Sequence, residues 1–163
     1  MSDLVSLYET DYAAWAKRHV DLLRAGRFSE IDVEHLSQEL SDMGKSERRE
    51  LESRLLILIA HVLKWEHRYY ALSERWREFK GDSWRETIVG QRKQLAVLLR
   101  QSPGLKPVVA ETILAAYQDA LDLASKETRL PPETFPARCP YSVEQLLNDD
   151  FYPGSADQRP DDD

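Results

Sequence analysis

Ionisable side chains that fall where a helical period calls for apolar ones are the first place to look for chemistry. Stepping 100° per residue, Asp11 lies within about 40° of Trp15 inside a stripe of Leu4, Tyr8, Trp15, His19 and Leu22. Arg92 falls among Trp84, Ile88, Leu95 and Leu99, and Glu39 borders Leu36, Leu40 and Met43. His61 sits four residues before Trp65. Charged groups are seldom buried without partners, because desolvation costs several kcal/mol per ion. The pattern therefore predicts that Arg92 pairs with Asp11 or Glu39 across a helix interface. Trp15, Trp65 and Trp84, each on a packed stripe, are expected to meet as one aromatic cluster.

These seven residues, Asp11, Trp15, Glu39, His61, Trp65, Trp84 and Arg92, allow three functions of different kinds. An ion pair that only fixes helix register would belong to a non-catalytic interaction module, self-associating or bound to a protein partner. A tryptophan-lined pocket with Arg92 as anion partner would make a small-molecule binding or sensing domain. Acid–base catalysis would need Asp11, Glu39, His61 and Arg92 to converge within hydrogen-bond reach. No reaction motif accompanies them, so the interaction module is the reading the sequence favours and an enzyme the one it disfavours.

Metal and thiol chemistry find little support. His61 and His67 are six residues apart, about 120° around one helix, and cannot chelate one ion together. His35 and Glu39 share a face, with Asp32 three residues before, but the paired Glu-x-x-His helices of a di-metal bundle are absent. The single cysteine, Cys139, excludes an intramolecular disulfide and a multi-thiolate zinc site. Neither metal nor cofactor is expected.

The elements that must position these side chains read as helices throughout. A first helix runs from about Asp3, with Ser6 and Glu9 as a capping box, to Arg24 before Gly26. A second covers about Asp32 to Met43 and stops at Gly44. The long central helix, about 46–72, starts at Ser46 and carries Leu51, Leu55, Leu58, Val62, Trp65 and Tyr69 beside a second stripe of Leu56, Ile59, Leu63 and Tyr70. A helix so apolar must be covered on more than one side. The polar SERWREFKGDS reads as a loop, after which Ser83 and Glu86 cap a fourth helix to about Gln101. Pro107 opens a fifth to about Glu127, whose inner face is rich in alanine. Four prolines in PPETFPARCPY exclude a helix and give a surface strap, followed by a short turn capped by Ser142 and Gln145. The fold class is thus all-α: a single-domain bundle of about five helices over residues 1–153, with an acidic, disordered tail at 154–163.

Composition narrows the setting. Residues 1–44 carry 4 basic and 9 acidic groups, residues 45–100 carry 13 and 8, and residues 101–163 carry 5 and 12. The basic middle alternates Lys and Arg with Glu and is flanked by acid, which argues against a nucleic-acid surface. The longest apolar run, Leu55 to Ala60, is too short for a bilayer. The N-terminus lacks the pattern of a secretory signal. A soluble cytoplasmic protein is expected.

Four phrases carry a resemblance: LYETDYAAWA, SERRELESRLLILIAHVLKW, SWRETI and FPARCPYSVEQLLNDDFYP. In order and spacing they resemble the bacterial family catalogued as domain of unknown function 29, over about residues 7 to 153. The positions that match its recurrent phrases include Tyr8, Asp11, Trp15, Arg48, His61, Trp65, Ser83, Trp84, Thr87, Arg92, Pro140 and Tyr141. The resemblance implies a mainly helical single domain and assigns no activity, substrate or catalytic residue.

Overall fold

Asp11 interrupts what the period reads as one helix. In the computed structural model, which describes residues 2–69 and 74–154, with side chains described except at 2, 68–69 and 74–82, α1 (Ser2–Thr10) stops there and α2 (Tyr12–Arg24) begins. Asp11 leaves the helical region at φ −151°, and its carboxylate accepts the amide of Ala14 at 3.0 Å. A carboxylate that caps the next helix satisfies an orphan amide that an unbroken helix would not expose. The expected capping box at Ser6 and Glu9 is therefore not a helix start; both residues lie inside α1, where Thr10 donates its hydroxyl to the Ser6 carbonyl. The stop before Gly26 is as expected, with Gly26 at φ +69°. A short 3-10 turn, Phe28–Glu30, leads on.

Gly44 does not end a helix. α3 (Val33–Lys64) runs through it without interruption, so the two helices expected at 32–43 and from 46 are one. Glycine in a helix interior costs about 1 kcal/mol relative to alanine, too little to stop a helix whose flanks are rich in Leu, Met, Glu, Lys and Arg. Residues 41–50 of this helix are exposed on every side. Past Lys64 the ladder widens into a π-helical turn, Trp65–Tyr69. The expected continuation to Leu72 falls outside the described residues, as does the acidic tail beyond Gly154.

The polar stretch after it also contradicts expectation. α4 (Glu74–Gln101) includes most of SERWREFKGDS as helix, and Ser83 is interior, its carbonyl accepting the Thr87 hydroxyl at 3.2 Å. Arg, Glu and Lys form helix readily without an apolar stripe, so the lack of period marks polarity and not a loop. A 3-10 segment, Pro103–Val108, contains Pro107 and precedes α5 (Val109–Thr128). Arg129, in the left-handed region at φ 58°, ends α5. The strap then passes a 3-10 turn at Pro132–Thr134 and closes in α6 (Val143–Leu147), whose Ser142–Gln145 capping box is present in both directions.

No strand occurs among the described residues, and the fold class is all-α. Contacts group the chain into two compact units that divide within α3, after Glu47. The first has few fully enclosed side chains, Trp15, His19 and Leu22. The core of the second is built on the later half of α3, where Leu51, Leu55, Leu58, Ile59, Val62 and Leu63 are completely buried. Ile88 and Leu95 of α4, Val109, Ile113 and Tyr117 of α5, and Leu146 of α6 belong to that cluster, as do Trp65, Tyr141 and Phe151. Ala116, Ala120 and Ala124 of α5 are buried without exposure, the expected small-residue face that lets helices approach closely.

Candidate functional site

In the first unit, aromatic rings and carboxylates from α1, α2 and the start of α3 interlock. Tyr8 and Tyr12 both donate their hydroxyls to Glu39, at 2.5 and 2.8 Å. These bonds hold the Glu39 carboxyl below its ordinary range and push the Tyr8 phenol up to about 12. Tyr8 also stacks on His35 at 4.1 Å between ring centres. Asp32 precedes α3 and accepts the backbone amide of His35 at 3.3 Å, its ring nitrogen Nδ1 at 2.6 Å and the Trp15 indole at 3.4 Å. Burial alone would raise the Asp32 carboxyl, but the His35 and Trp15 donors outweigh it and hold the group low.

His19 uses both ring nitrogens. Nε2 accepts the Asp32 amide at 3.0 Å, which places the proton on Nδ1 to donate to the Trp15 carbonyl at 2.8 Å. Trp15 is thus packed among Tyr8, Tyr12 and His19, at 5.0, 5.8 and 4.3 Å.

In the second unit, His61 Nδ1 donates to the Ile57 carbonyl at 2.8 Å and Nε2 accepts from Lys64 Nζ at 3.2 Å. Lys64, buried to its tip, also pairs with Glu127 and lies 5.5 Å from the centre of the Trp84 ring. Burial first, and the Lys64 ammonium second, lower the His61 pKa from its ordinary 6.5. A depressed histidine contributes stability that is complete above the unfolded-state value of 6.5 and is lost as pH falls from there through the folded-state value. Urea titrations from pH 7.5 to 5 are therefore expected to show wild type losing stability faster than His61→Gln, with the curves nearly parallel above pH 7. Equal slopes across the whole range would contradict the assignment.

Arg92 is buried as expected, at 2% exposure, but its partners are not carboxylates. Its guanidinium donates to four backbone carbonyls: Leu146 at 2.8 Å, Phe151 at 2.8 Å, Gln145 at 3.3 Å and Asp149 at 3.4 Å. Its Cζ lies 5.3 Å from the centre of the Tyr152 ring, which Arg85 also approaches at 5.1 Å. Carbonyls of a chain segment without regular ladder bonds compete well for a planar fork of five donors. The pairing of Arg92 with Asp11 or Glu39 is thus corrected: Asp11 caps α2, and Glu39 serves two phenols.

The tryptophans also part company. Trp15 has its ring partners within the first unit, Trp65 packs on Tyr152 at 4.9 Å, and Trp84 faces Lys64. Of the seven predicted residues, the structure joins Trp15 and Glu39 through Tyr8 and Tyr12, His61 and Trp84 through Lys64, and Trp65 and Arg92 through Tyr152. Of the intermediaries, Tyr8 lies on the stripe that period counting gives, whereas Tyr12, Lys64 and Tyr152 lie on none. Among the described residues no group of three or more His, Cys, Asp or Glu side chains is placed to hold a metal ion.

One family profile, described as a domain of unknown function, DUF29, matches residues 7–152. No curated protein and no solved structure matches the chain.

Proposed function

The chain belongs to the DUF29 family, and from that premise, which carries no activity, we propose that it is a non-catalytic helical interaction module that self-associates through its first unit. The observation that carries this reading is an uncovered apolar seam on the first half of α3. Val33, Leu36, Leu40 and Met43 follow at steps of three, four and three, the spacing of a coiled-coil seam. Val33, Leu40 and Met43 are 64%, 62% and 64% exposed. Nearby, a groove of about 640 Å³ is lined by apolar residues, Leu4, Val5 and Leu7 of α1 and Leu22 of α2, together with the charged Asp3, Arg18, Glu30 and Glu34.

A second copy is the occupant whose charge fits. The seam is flanked by Glu34, Glu39 and Asp42, whereas Lys45, Arg48 and Arg49 follow on the same helix. Two such helices side by side in opposite directions bring acid against base at both ends of an isologous interface. Catalysis has less to stand on. Asp11, Glu39, His61 and Arg92 each spend their hydrogen bonds on a structural partner. A pocket built on the tryptophans with an Asp/Glu–Arg pair loses its anion site for the same reason. Among the described residues no helix is long and apolar enough to cross a membrane; a cytoplasmic setting is part of this proposal, supported by the lone, half-buried Cys139.

Sedimentation or native mass measurement tests it. Wild type is expected at twice 18.9 kDa in the micromolar range, and Leu40→Asp with Met43→Asp at 18.9 kDa with unchanged helicity, since both side chains are exposed. A wild type that stays monomeric up to millimolar concentration would end the self-association reading.

A further inference from the structure

The exposed seam on α3 has a counterpart on α2. Among the described residues ten large apolar side chains are exposed, and eight of them stand in the first unit, which marks that unit as the part of the chain with an uncovered face. Three of the eight, Tyr12 at 53%, Val20 at 43% and Leu23 at 43%, lie on α2. With the partly buried Ala16 they follow at steps of four, four and three, a second stripe beside the buried one of Trp15, His19 and Leu22.

The start of α3 runs opposite to α2. Tyr12 bonds Glu39 whereas His19 accepts the amide of Asp32, so position falls on α3 as it rises on α2. At 100° per residue, each exposed stripe is turned by about 50–130°, and in the same sense, from the face that touches the other helix. On antiparallel helices equal rotations turn both stripes to one side. The hairpin therefore presents one uncovered apolar face two helices wide, which is half of a four-helix bundle.

Two α3 helices paired through the seam alone leave the α2 stripe in water. We propose that the self-associated form is a four-helix bundle in which α2 of each copy lies along the α3 seam of the other. This arrangement rests on self-association through the first unit and changes only which helix of the second copy meets the seam. Half a turn about an axis parallel to the helices relates the two copies, so levels along the hairpin are kept and neighbouring helices run in opposite directions. Counted from the Tyr12–Glu39 and His19–Asp32 bonds, Val20 meets Val33 of the second copy, Ala16 meets Leu36 and Tyr12 meets Leu40. Charge fits the same match. Lys17 is exposed on the outer edge of α2, and Glu34, level with it, on the outer edge of α3. A second copy thus supplies an apolar face of equal width and sets Lys17 against Glu34 once on each side of the bundle.

Sedimentation velocity and cysteine cross-linking on the full chain test it. Val20→Asp with Leu23→Asp should weaken the dimer at least tenfold with unchanged helicity, since both side chains are exposed. For cross-linking, Cys139→Ser removes the native thiol, and variants with one new cysteine each are mixed in pairs and oxidised, so that every mixed disulfide joins two chains. Val20→Cys mixed with Val33→Cys should give the mixed dimer on a non-reducing gel, and Val33→Cys mixed with Met43→Cys should not. Absence of the first cross-link, or a dimer unmoved by the substitutions on α2, would overturn the bundle; cross-linking of the second pair instead would leave pairing through the α3 seam alone standing. A wild type that stays monomeric up to millimolar concentration would end both readings and leave the face to a different protein.

Discussion

Replacing Arg92 by alanine is expected to lower the unfolding free energy by about 4 kcal/mol, at the upper end of what single substitutions cost. The side chain is buried and serves four carbonyls between Gln145 and Phe151. The Gln145 carbonyl keeps the Asn148 amide, but removing Arg92 strands the acceptors at Leu146 and Phe151, each at a desolvation cost of roughly 1–3 kcal/mol when water cannot reach them. It also opens a void beside Tyr152. Burial lowers the guanidinium pKa from 12.5, but from so high a start the group keeps its charge at any working pH. Arg92→Lys should recover less than half of the loss, since one ammonium cannot match a fork spread over four oxygens. Urea denaturation gives the magnitude, and hydrogen exchange locates it: protection at Leu146 and its neighbours should fall first. A loss below about 1 kcal/mol would mean that water replaces the guanidinium without penalty.

Asp32→Ala should have the second-largest effect, about 3 kcal/mol, and should act on the first unit. The Asp32 side chain is 6% exposed and accepts three donors, two of them from His35 and one from Trp15. Its loss removes the cap at the start of α3, worth about 1 kcal/mol. It also leaves the His35 ring and the Trp15 indole without an acceptor. Asp32→Asn keeps the cap and should retain roughly half. Because unit one has so few enclosed side chains, its amides in α2 should exchange faster in the variant while those of Leu55 to Leu63 hold. Uniform destabilisation across both would show that the two units unfold as one.

Local signals in the sequence proved dependable where a short-range interaction decides. Gly26 ends a helix because it takes a positive φ, and Ser142 with Gln145 starts one because their two bonds are made within four residues. The alanine face of α5 and the apolar stripes of α3 follow from period alone. Asp11 shows the limit: the same position satisfies a helical stripe and a helix cap, and periodicity cannot tell an inward carboxylate from one that turns back to its own backbone. Gly44 and the polar run before Ser83 mislead for a related reason. Helix propensity sums over neighbours, so one glycine or a missing stripe does not outweigh many good formers.

The partner of Arg92 was beyond reading because backbone carbonyls have no side-chain signature. An arginine on a packed face signals that acceptors exist, and carboxylates are the only acceptors a sequence displays. Glu66, which accepts the Tyr141 hydroxyl, stands in a π-helical turn that has no marker in residue type. Tyr141 did appear in the family phrases, yet its acceptor lies 75 positions away.

Residues 41–50 of α3 bear on how this chain can change over time. Their side chains are exposed in every direction, so packing places almost no demand on which residues stand there, and the backbone asks only that they favour a helix. Apart from Met43 and the charges at Asp42, Lys45, Arg48 and Arg49, which the proposed interface uses, substitutions should accumulate in that stretch faster than on either side of it. Gly44 is the poorest helix former there, and a Cβ added to it would meet nothing within 4 Å. Alanine would fit at no steric cost and hold the helix better. A glycine kept at this position through long divergence would therefore record selection for a rod that can bend, a property that natural selection can see and that the folded core does not need.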